Sequence, residues 1–170
     1  MEIRAAVAGD EDSVWAILKP VIRAGETYAL PVEMTRADAL DYWLARGHRV
    51  FVAIEGGAMV GTYYLRANQS GGGAHVANCG YMVAQGFEGR GVARAMCEHS
   101  LKVARAAGFR AMQFNFVVSA NTRAVDLWRR LGFAIAGRLP RAFRHPELGY
   151  IEALVMFRSL EDDPATGRNL

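Results

Sequence analysis

The stretch from Asn78 to Gly108 predicts a strand, a glycine turn and a long helix in immediate succession. The apolar run 78–83 leads into a turn that contains Gly89 and Gly91, and a helical pattern then continues until Gly108, a typical C-terminal capping residue. Glycine permits a close approach that a Cβ would forbid, and the first N–H groups of a helix have no intrahelical acceptor. An anion can satisfy those donors, so this stretch is a candidate phosphate cradle.

The spacing of this turn excludes two common phosphate loops. No Gly-Lys-Ser/Thr sequence is present, so the turn is not a Walker loop. A dinucleotide fingerprint requires a further glycine three residues after Gly91, where the chain has Arg94. Because glycines before a helix are more often only a tight turn, this turn alone does not establish phosphate binding.

The composition is that of an ordinary globular domain. The 170 residues are 52% hydrophobic and 22% charged, and we expect one domain at residues 1–160 and a flexible tail at 161–170. Cys79 and Cys97 form no disulfide framework or zinc pattern, the N-terminus lacks a signal-peptide pattern, and no apolar run reaches the ~18 residues of a membrane span. A cytoplasmic location, without metal or membrane association, is the simplest expectation.

The charge balance is mildly basic. The net charge of +3 and the pI near 9.1 come mostly from arginine. Without a dense basic run or interleaved aromatic residues, this excess falls short of a nucleic-acid-binding footprint, so we expect no nucleic-acid partner. It is compatible with a small polyanionic ligand.

Apolar periodicity and turn residues predict the element order β-α-α-β-β-β-α-β-α-β-β. The first helix is predicted to begin at an N-cap, Asp10, and to be kinked or divided at Pro20. A loop with Pro140 and Pro146 is expected between the last two strands. The predicted strands lie at 2–7, 50–55, 59–67, 78–83, 111–118, 133–138 and 150–158, and the helices at 10–23, 35–47, 92–108 and 121–131.

These elements predict an α/β fold with a mixed, mostly antiparallel sheet of six to seven strands and about four helices. One parallel β-α-β crossover, from Asn78 to Val118, is embedded in it. Ligands of open sheets bind where strands part at their carboxyl ends, and the turn at Gly89 lies at such a place.

Two motifs resemble signatures of the GNAT superfamily, the acyl-CoA-dependent N-acyltransferases. The pyrophosphate loop of that family, Gln/Arg-x-x-Gly-x-Gly/Ala, matches residues 88–93 except at Glu88, which replaces Gln or Arg. Trp128 occupies the Tyr position of the second signature, Asn-x-x-Ala-x-x-Leu-Tyr-x-x-x-Gly-Phe. The other positions of that signature are met by Asn121, Ala124, Leu127, Gly132 and Phe133. The resemblance covers about residues 2–160 and implies a GNAT-like sheet.

The resemblance also implies that acetyl-CoA is the co-substrate. It assigns backbone hydrogen bonds with the pantetheine arm to Met82 and Val83, a contact near the thioester to Asn121, and packing on the cofactor or the core to Trp128. The pyrophosphate is assigned to backbone N–H groups of Glu88, Gly89, Arg90, Gly91, Val92 and Ala93. An arginine is expected at the adenosine 3′-phosphate, with a solvated helix face as the equal alternative for each candidate: Arg90, Arg94, Arg129 and Arg130.

The chemistry implied by the resemblance is direct attack of an amine on the thioester, with the N–H of Val83 stabilising the oxyanion. An indole at position 128 cannot protonate the departing thiolate, so another hydroxyl or water is needed, or the thiolate leaves unaided. The hydroxyl candidates are Tyr64, Tyr81 and Tyr150. No carboxylate lies near Asn78 or Cys79, and the candidate bases are Glu26 and His145, both in predicted loops.

Asn115 lies within an apolar run, where an unsatisfied buried amide costs about 1–3 kcal/mol. It either bonds to a neighbouring strand or lines the cleft and binds the acceptor. Glu26, Tyr28 and Tyr150 are the other expected acceptor contacts. The last third of the chain resembles fungal enzymes that acetylate azetidine-2-carboxylate and related proline analogues, at Phe114, Asn115, Asn121, Trp128, 137–142 and 150–153.

The sequence therefore predicts an acetyl-CoA-dependent N-acetyltransferase that acts on a small amine, an amino acid or an analogue. A homodimer is expected because dimers are common in the resembling family. The first alternative is a protein N-terminal or lysine acetyltransferase with a peptide groove walled by residues 26–34 and 141–149. The second is a non-catalytic acyl-CoA sensor, which Trp128 and the missing base permit.

Overall fold

The computed structural model describes residues 1–161, and the elements follow the predicted order. Of the predicted tail, the part from 162 to 170 lies outside the described residues. The strands are β1 (Glu2–Ala5), β2 (Arg49–Glu55), β3 (Ala58–Ala67), β4 (Val76–Val83), β5 (Ala111–Val118), β6 (Ala134–His145) and β7 (Gly149–Ser159). The helices are α1 (Glu11–Ala24), α2 (Arg36–Trp43), α3 (Val92–Ala106) and α4 (Thr122–Arg130), with a short 3-10 turn at Gly71–Gly73.

The strands form one seven-stranded sheet in the order β1-β2-β3-β4-β5-β7-β6. Within the described residues, β4 and β5 are the one parallel pair, and every other neighbouring pair is antiparallel. The parallel pair is joined through α3, and β7 lies between β5 and the edge strand β6. The predicted mixed α/β fold is confirmed.

β4 and β5 diverge almost as soon as they meet. They pair only at 76–77 with 111–112, and both strands continue for six more residues. Just past the last pair, Nδ2 of Asn78 donates to the backbone O of Gln113 at 2.8 Å. The divergence leaves main-chain groups of both strands without a strand partner and opens a cleft at their carboxyl ends.

Alternation along the central strands sends side chains to two separate cores. On one face, here called the α3/α4 face, Tyr63 packs with Met96 and Trp128. On the opposite face, the α1/α2 face, Tyr64 packs with Leu18 and Trp43. The cleft runs through the sheet between these two cores, so it is reached by side chains from both.

Asp10 is the N-cap residue of α1, as predicted, but its side chain makes no capping hydrogen bond. Its carboxylate accepts hydrogen bonds from Arg4 at 2.7 and 2.9 Å and from the backbone N of Val7 at 2.8 Å. The bond with Arg4 lowers the pKa of this carboxyl to about 2. Asp10 therefore ties the turn before α1 to β1 instead of completing the helix.

Pro20 and Pro140 both lie inside regular elements. α1 continues through Pro20 to Ala24, so the helix is not divided there. β6 does not end at residue 138 but extends to His145 and includes Pro140. Its pairing with β7 shifts between Leu139 and Phe143, and its position at the sheet edge accommodates a residue that has no N–H to donate.

Close contact between β3 and α3 gives a test of the packing. In Gly61→Ala, the added Cβ would lie 2.8 Å from Cε of Met96 and 2.9 Å from Cγ1 of Val92. We expect the free energy of unfolding to fall by about 1–3 kcal/mol in urea denaturation, because a side chain or the helix must shift. In the control, Gly137→Ala, the Cβ meets Val155 at an ordinary 3.8 Å, and the expected change is about 0.5 kcal/mol or less. Equal effects of the two substitutions would contradict this packing.

Candidate active site

The cleft between β4 and β5 has a volume of about 1030 Å³. Its walls come from both faces of the sheet, from the loop between α1 and α2, from the glycine turn before α3, and from α4. Most of the residues singled out from the sequence line it: Glu26, Tyr28, Tyr64, Tyr81, Met82, Val83, Glu88, Gly89, Gly91, Val92, Ala93, Arg94, Asn115, Asn121, Trp128 and Arg130. Arg90, Arg129, His145 and Tyr150 do not line it.

The glycine turn presents free helix N–H groups to the cleft. Gly89 and Gly91 have φ of 79° and 83°, values that side chains rarely adopt, and the first α-helical bond of α3 runs from the N of Ala95 to the O of Gly91. The N–H groups of residues 92–94 therefore have no acceptor within the helix. Such a terminus favours an anion, through both its donors and the helix dipole.

The charged side chains of this turn are engaged elsewhere. The carboxylate of Glu88 accepts from the backbone N of Gly86 at 2.8 Å. Arg94 pairs with Glu98 one helical turn away, and the guanidinium of Arg90 lies over the ring of Phe87 at 4.8 Å. The turn therefore offers an anion its backbone donors, and the carboxylate of Glu88 is held within its own loop.

The hydrogen-bond alternation of β4 decides which backbone groups face the cleft. Asn68 donates to Val76, and Ala84 donates to Val60, so even-numbered residues of β4 are directed toward β3. Met82, opposite Thr62, is among them. The main chain of Met82 is thus occupied by the β3 ladder, and the residue is part of the cleft wall. The main-chain groups of Tyr81 and Val83 point toward the open side.

The loop between α1 and α2 is bound to this open side. The hydroxyl of Tyr28 donates to the backbone O of Tyr81 at 2.8 Å, and the Tyr28 ring contacts Trp43 edge-on at 6.2 Å between centroids. Burial raises the pKa of Tyr28 well above its ordinary value, so the phenol remains a donor. Glu26, which is exposed, is carried into the cleft wall by the same loop.

The three candidate hydroxyls lie in different places. The hydroxyl of Tyr81 is 2.7 Å from Oγ of Ser100 in α3, and burial raises its pKa well above normal. Tyr150 is 59% exposed on β7 and lies outside the cleft. The hydroxyl of Tyr64 lies 3.4 Å from that of Tyr42, and burial raises its pKa as well.

Tyr64 is packed directly over the backbone of β4. A Cβ built on Gly80 would lie 2.6 Å from Cε1 of the Tyr64 ring, and the same ring stacks with His48 at 4.4 Å between centroids. Glycine at position 80 is therefore required for this arrangement. Of the three candidates, Tyr64 is the hydroxyl that lines the α1/α2 side of the cleft.

Asn115 belongs to a chain of amides across the cleft floor. Its Oδ1 accepts from Nε2 of Gln113 at 2.8 Å, and its Nδ2 donates to Oδ1 of Asn68 at 2.6 Å. The pairing of β5 with β7 shifts between Phe114 and Val117, which places Asn115 in a bulge. Its amide is thus satisfied by protein partners, and Asn115 also lines the cleft.

Asn121 and Trp128 lie on α4 at the other wall. Oδ1 of Asn121 accepts from the N of Ala124 at 3.3 Å and caps the helix. The indole of Trp128 packs against Tyr81, with centroids 5.1 Å apart, and against Phe114 at 5.2 Å. His145, a candidate base, accepts from the backbone N of Glu147 at 3.2 Å in the turn between β6 and β7, away from the cleft.

Some polar residues of the cleft wall were not singled out from the sequence, among them Arg66, Asn78 and Arg123. Arg66 and Asn78 are direct cross-strand partners of β3 and β4, on the same face as Tyr64. The alternation of β3 contained this signal, since residues 64 and 66 share a face. Within residues 1–161, no group of three or more His, Cys, Asp or Glu residues is placed to hold a metal ion, and no helix is long and apolar enough to cross a membrane.

The comparisons with known proteins agree with this architecture. The model of the acetyltransferase (GNAT) family matches residues 15–133. The chain belongs to this family. It is therefore an acetyl-CoA-dependent N-acetyltransferase, as the resemblance of its two motifs implied.

Three known proteins are similar to this GNAT chain. The N-acetyltransferase aca1 of Schizosaccharomyces pombe is 29% identical over an alignment 161 residues long, which covers 83% of this chain and 77% of the relative. A GCN5-related N-acetyltransferase from Kribbella flavida is 40% identical, with a TM-score of 0.89 over 93% of this chain and 96% of that one. A phosphinothricin acetyltransferase from Sinorhizobium meliloti, solved in complex with AcCoA, shares the fold with a TM-score of 0.83 at 22% identity, over 99% and 92% of the two chains.

The glycine turn can be tested by Gly91→Val. Valine strains a backbone at φ 83°, and it obstructs the approach of a diphosphate to the free N–H groups. We expect the affinity for CoA, measured by calorimetry, to fall by about tenfold or more, the loss of one charge-assisted hydrogen bond.

The matched control is Gly108→Val at the opposite end of α3. Gly108 has φ of 86°, and, as at Gly91, no atom lies within 4 Å of a Cβ built on it. It therefore carries the same backbone strain away from the cleft and should retain CoA affinity. Undiminished affinity in Gly91→Val would rule out the turn as the diphosphate site.

Proposed function

We propose that the acceptor is the amine of a small molecule, an amino acid or an analogue, and that the acetyl group passes to it directly from acetyl-CoA. The observation that carries this proposal is the bond from the Tyr28 hydroxyl to the backbone O of Tyr81 at 2.8 Å. It holds residues 26–30 against β4, where they form a wall of the cleft. A short loop held down across the acceptor side suits a small molecule enclosed on several sides.

The same geometry disfavours the peptide alternative. A peptide groove would be walled by residues 26–34 and 141–149, yet only the first of these segments contributes to the cleft wall. Arg141 lies over the ring of Tyr150 at 5.5 Å on the exposed hairpin of β6 and β7. The cleft therefore lacks the second wall that an extended polypeptide would contact.

The donor would enter from the α3/α4 face. Its diphosphate would accept hydrogen bonds from the free N–H groups at residues 92–94, and its pantetheine arm would extend back along β4. The N–H groups of Tyr81 and Val83 face this open side and are available to the arm and to the thioester oxygen. Asn121 and Trp128 lie on the opposite wall, where they support the arm.

The acceptor nitrogen would then attack the thioester carbonyl from the α1/α2 face. A C–N bond forms, the C–S bond breaks with its electron pair remaining on sulfur, and the nitrogen loses its proton to water or to Glu26. A less basic amine suits this site, because neutralising an amine of pKa about 8 at pH 7 costs roughly 1.4 kcal/mol, against roughly 4.6 for lysine. A thiol with a pKa near the ordinary thiol value of about 8.5 leaves without a strong acid.

We also propose that the protein functions in a reducing compartment, the cytoplasm, and as a homodimer. Cys79 and Cys97 are buried, unpaired thiols, and burial raises the pKa of Cys97 to about 12. Leu139, Leu148 and Tyr150 are exposed on the hairpin of β6 and β7 and offer an apolar surface to a second copy. Light scattering on the purified protein tests the dimer, and a monomer at micromolar concentration would contradict it.

The substrate class can be tested by following thiol release from acetyl-CoA with a panel of free amino acids, amino-acid analogues and short peptides. We expect turnover with members of the small-molecule set and little with peptides. Turnover with peptides alone would overturn the proposed acceptor class.

Asn115→Ala tests whether the amide chain serves the acceptor. We expect kcat/KM for the acceptor to fall about tenfold, from one lost hydrogen bond and a displaced Gln113, while KM for acetyl-CoA changes little. Gln69→Ala, an exposed loop position next to Asn68, is the control. A lower melting temperature with unchanged acceptor kinetics would assign Asn115 a purely structural role.

A further inference from the structure

Arg66 is a cation in the cleft wall without an anionic protein partner. It is half-buried on β3, and among the described residues no carboxylate lies within ion-pairing distance of its guanidinium. Burial raises the pKa of Tyr64, and the positive charge of Arg66 acts in the opposite direction. Burial lowers the pKa of His48, and the charge of Arg66 lowers it further. Arg66 therefore belongs to the α1/α2 side of the cleft.

The other arginines of the cleft wall differ from Arg66 in position or pairing. Arg94 is paired with Glu98, and Arg123 and Arg130 are on α4, on the donor side of the sheet. Arg66 lies opposite Asn78, five residues before Val83, or about 17 Å along the strand at roughly 3.4 Å per residue. The diphosphate cradle lies beyond Val83, so Arg66 is out of reach of the donor phosphates.

On the α1/α2 side of the cleft, Glu26 carries a negative charge, opposite in sign to that of Arg66. Both residues line the cleft, and they form no ion pair with each other. The acceptor side thus holds a guanidinium and a carboxylate that do not pair with each other. A zwitterion, with its own carboxylate and ammonium, complements this arrangement.

We propose that Arg66 binds the carboxylate of the acceptor, so that the substrate is an amino carboxylic acid and not a simple amine. The inference deepens the proposed function and rests on it. The guanidinium offers paired N–H donors that match the two oxygens of a carboxylate. In this arrangement the carboxylate is fixed at the β3 wall, and the amine is directed toward Glu26 and the open side of β4.

Substrate pairs that differ only in the carboxylate test the inference on the native enzyme. Each accepted amino acid is compared with its carboxamide and with the corresponding decarboxylated amine, each at a pH adjusted so that equal fractions of the amines are neutral. We expect kcat/KM for the amino acid to exceed that for the carboxamide by about 10- to 100-fold, as for a hydrogen bond between charged groups.

Arg66→Gln should remove most of this preference. The ratio of kcat/KM between amino acid and carboxamide should fall by about 10- to 100-fold, chiefly through KM of the amino acid, and Arg66→Lys should retain part of it because the charge remains. Arg49→Gln is the matched control, since Arg49 is an exposed arginine on the neighbouring strand β2 and does not line the cleft. Circular dichroism confirms that each variant is folded.

The outcomes separate this inference from the proposed function. Turnover of small amines with no preference for a carboxylate in the native enzyme, or a preference that survives Arg66→Gln, overturns the role of Arg66 and leaves the proposed function standing. Absence of turnover with every small amine, with CoA binding intact, overturns both. If Arg66→Gln does not fold, the native substrate ratios and Arg66→Lys still decide the matter.

Discussion

The early divergence of β4 from β5 is the constraint on which the rest of the structure depends. The two parallel strands pair at two positions, and the main-chain groups beyond those positions need other hydrogen-bond partners. Asn78 bonds across the gap to Gln113, and Tyr28 takes the carbonyl of Tyr81 from outside the sheet. The N–H groups left over, on β4 and at the start of α3, point into a space that an extended, polyanionic thioester can fill.

The two faces of the sheet contribute different groups to the cleft. The glycine turn, α3 and α4 surround one end of the cleft with helix N–H groups and with Trp128. The α1–α2 loop and the even-numbered side chains of β3 surround the other end with Tyr64, Arg66 and Glu26. Because alternate side chains of one strand point to opposite faces of the sheet, a short segment of β3 or β4 lines both ends of the cleft. The reacting atoms would meet where the strands part.

The glycine turn before α3 was predictable from sequence because its signals are local. A strand, two glycines and a helix follow one another in the chain, and the structure has the same succession. The acceptor half was less predictable, since Tyr28, Arg66 and Asn115 come from three distant segments that only the folded sheet brings together. The extent of β6 was missed because Pro140 is a strand breaker in general but is tolerated at an edge. The direction of the main-chain groups of Met82 was not predictable, because it depends on the pairing of β4 with β3.

The bond between Tyr28 and Tyr81 joins a side chain to a main-chain oxygen, and this has an evolutionary consequence. Every amino acid at position 81 presents the same carbonyl, so the anchor point is insensitive to drift in β4. The loop is held by side chains that bond to main-chain oxygens, through Tyr28 at one point and through Arg23 at Val32 and Met34. With the proposed function, substitutions at the other loop positions would alter the choice of acceptor while leaving the glycine turn before α3 unchanged.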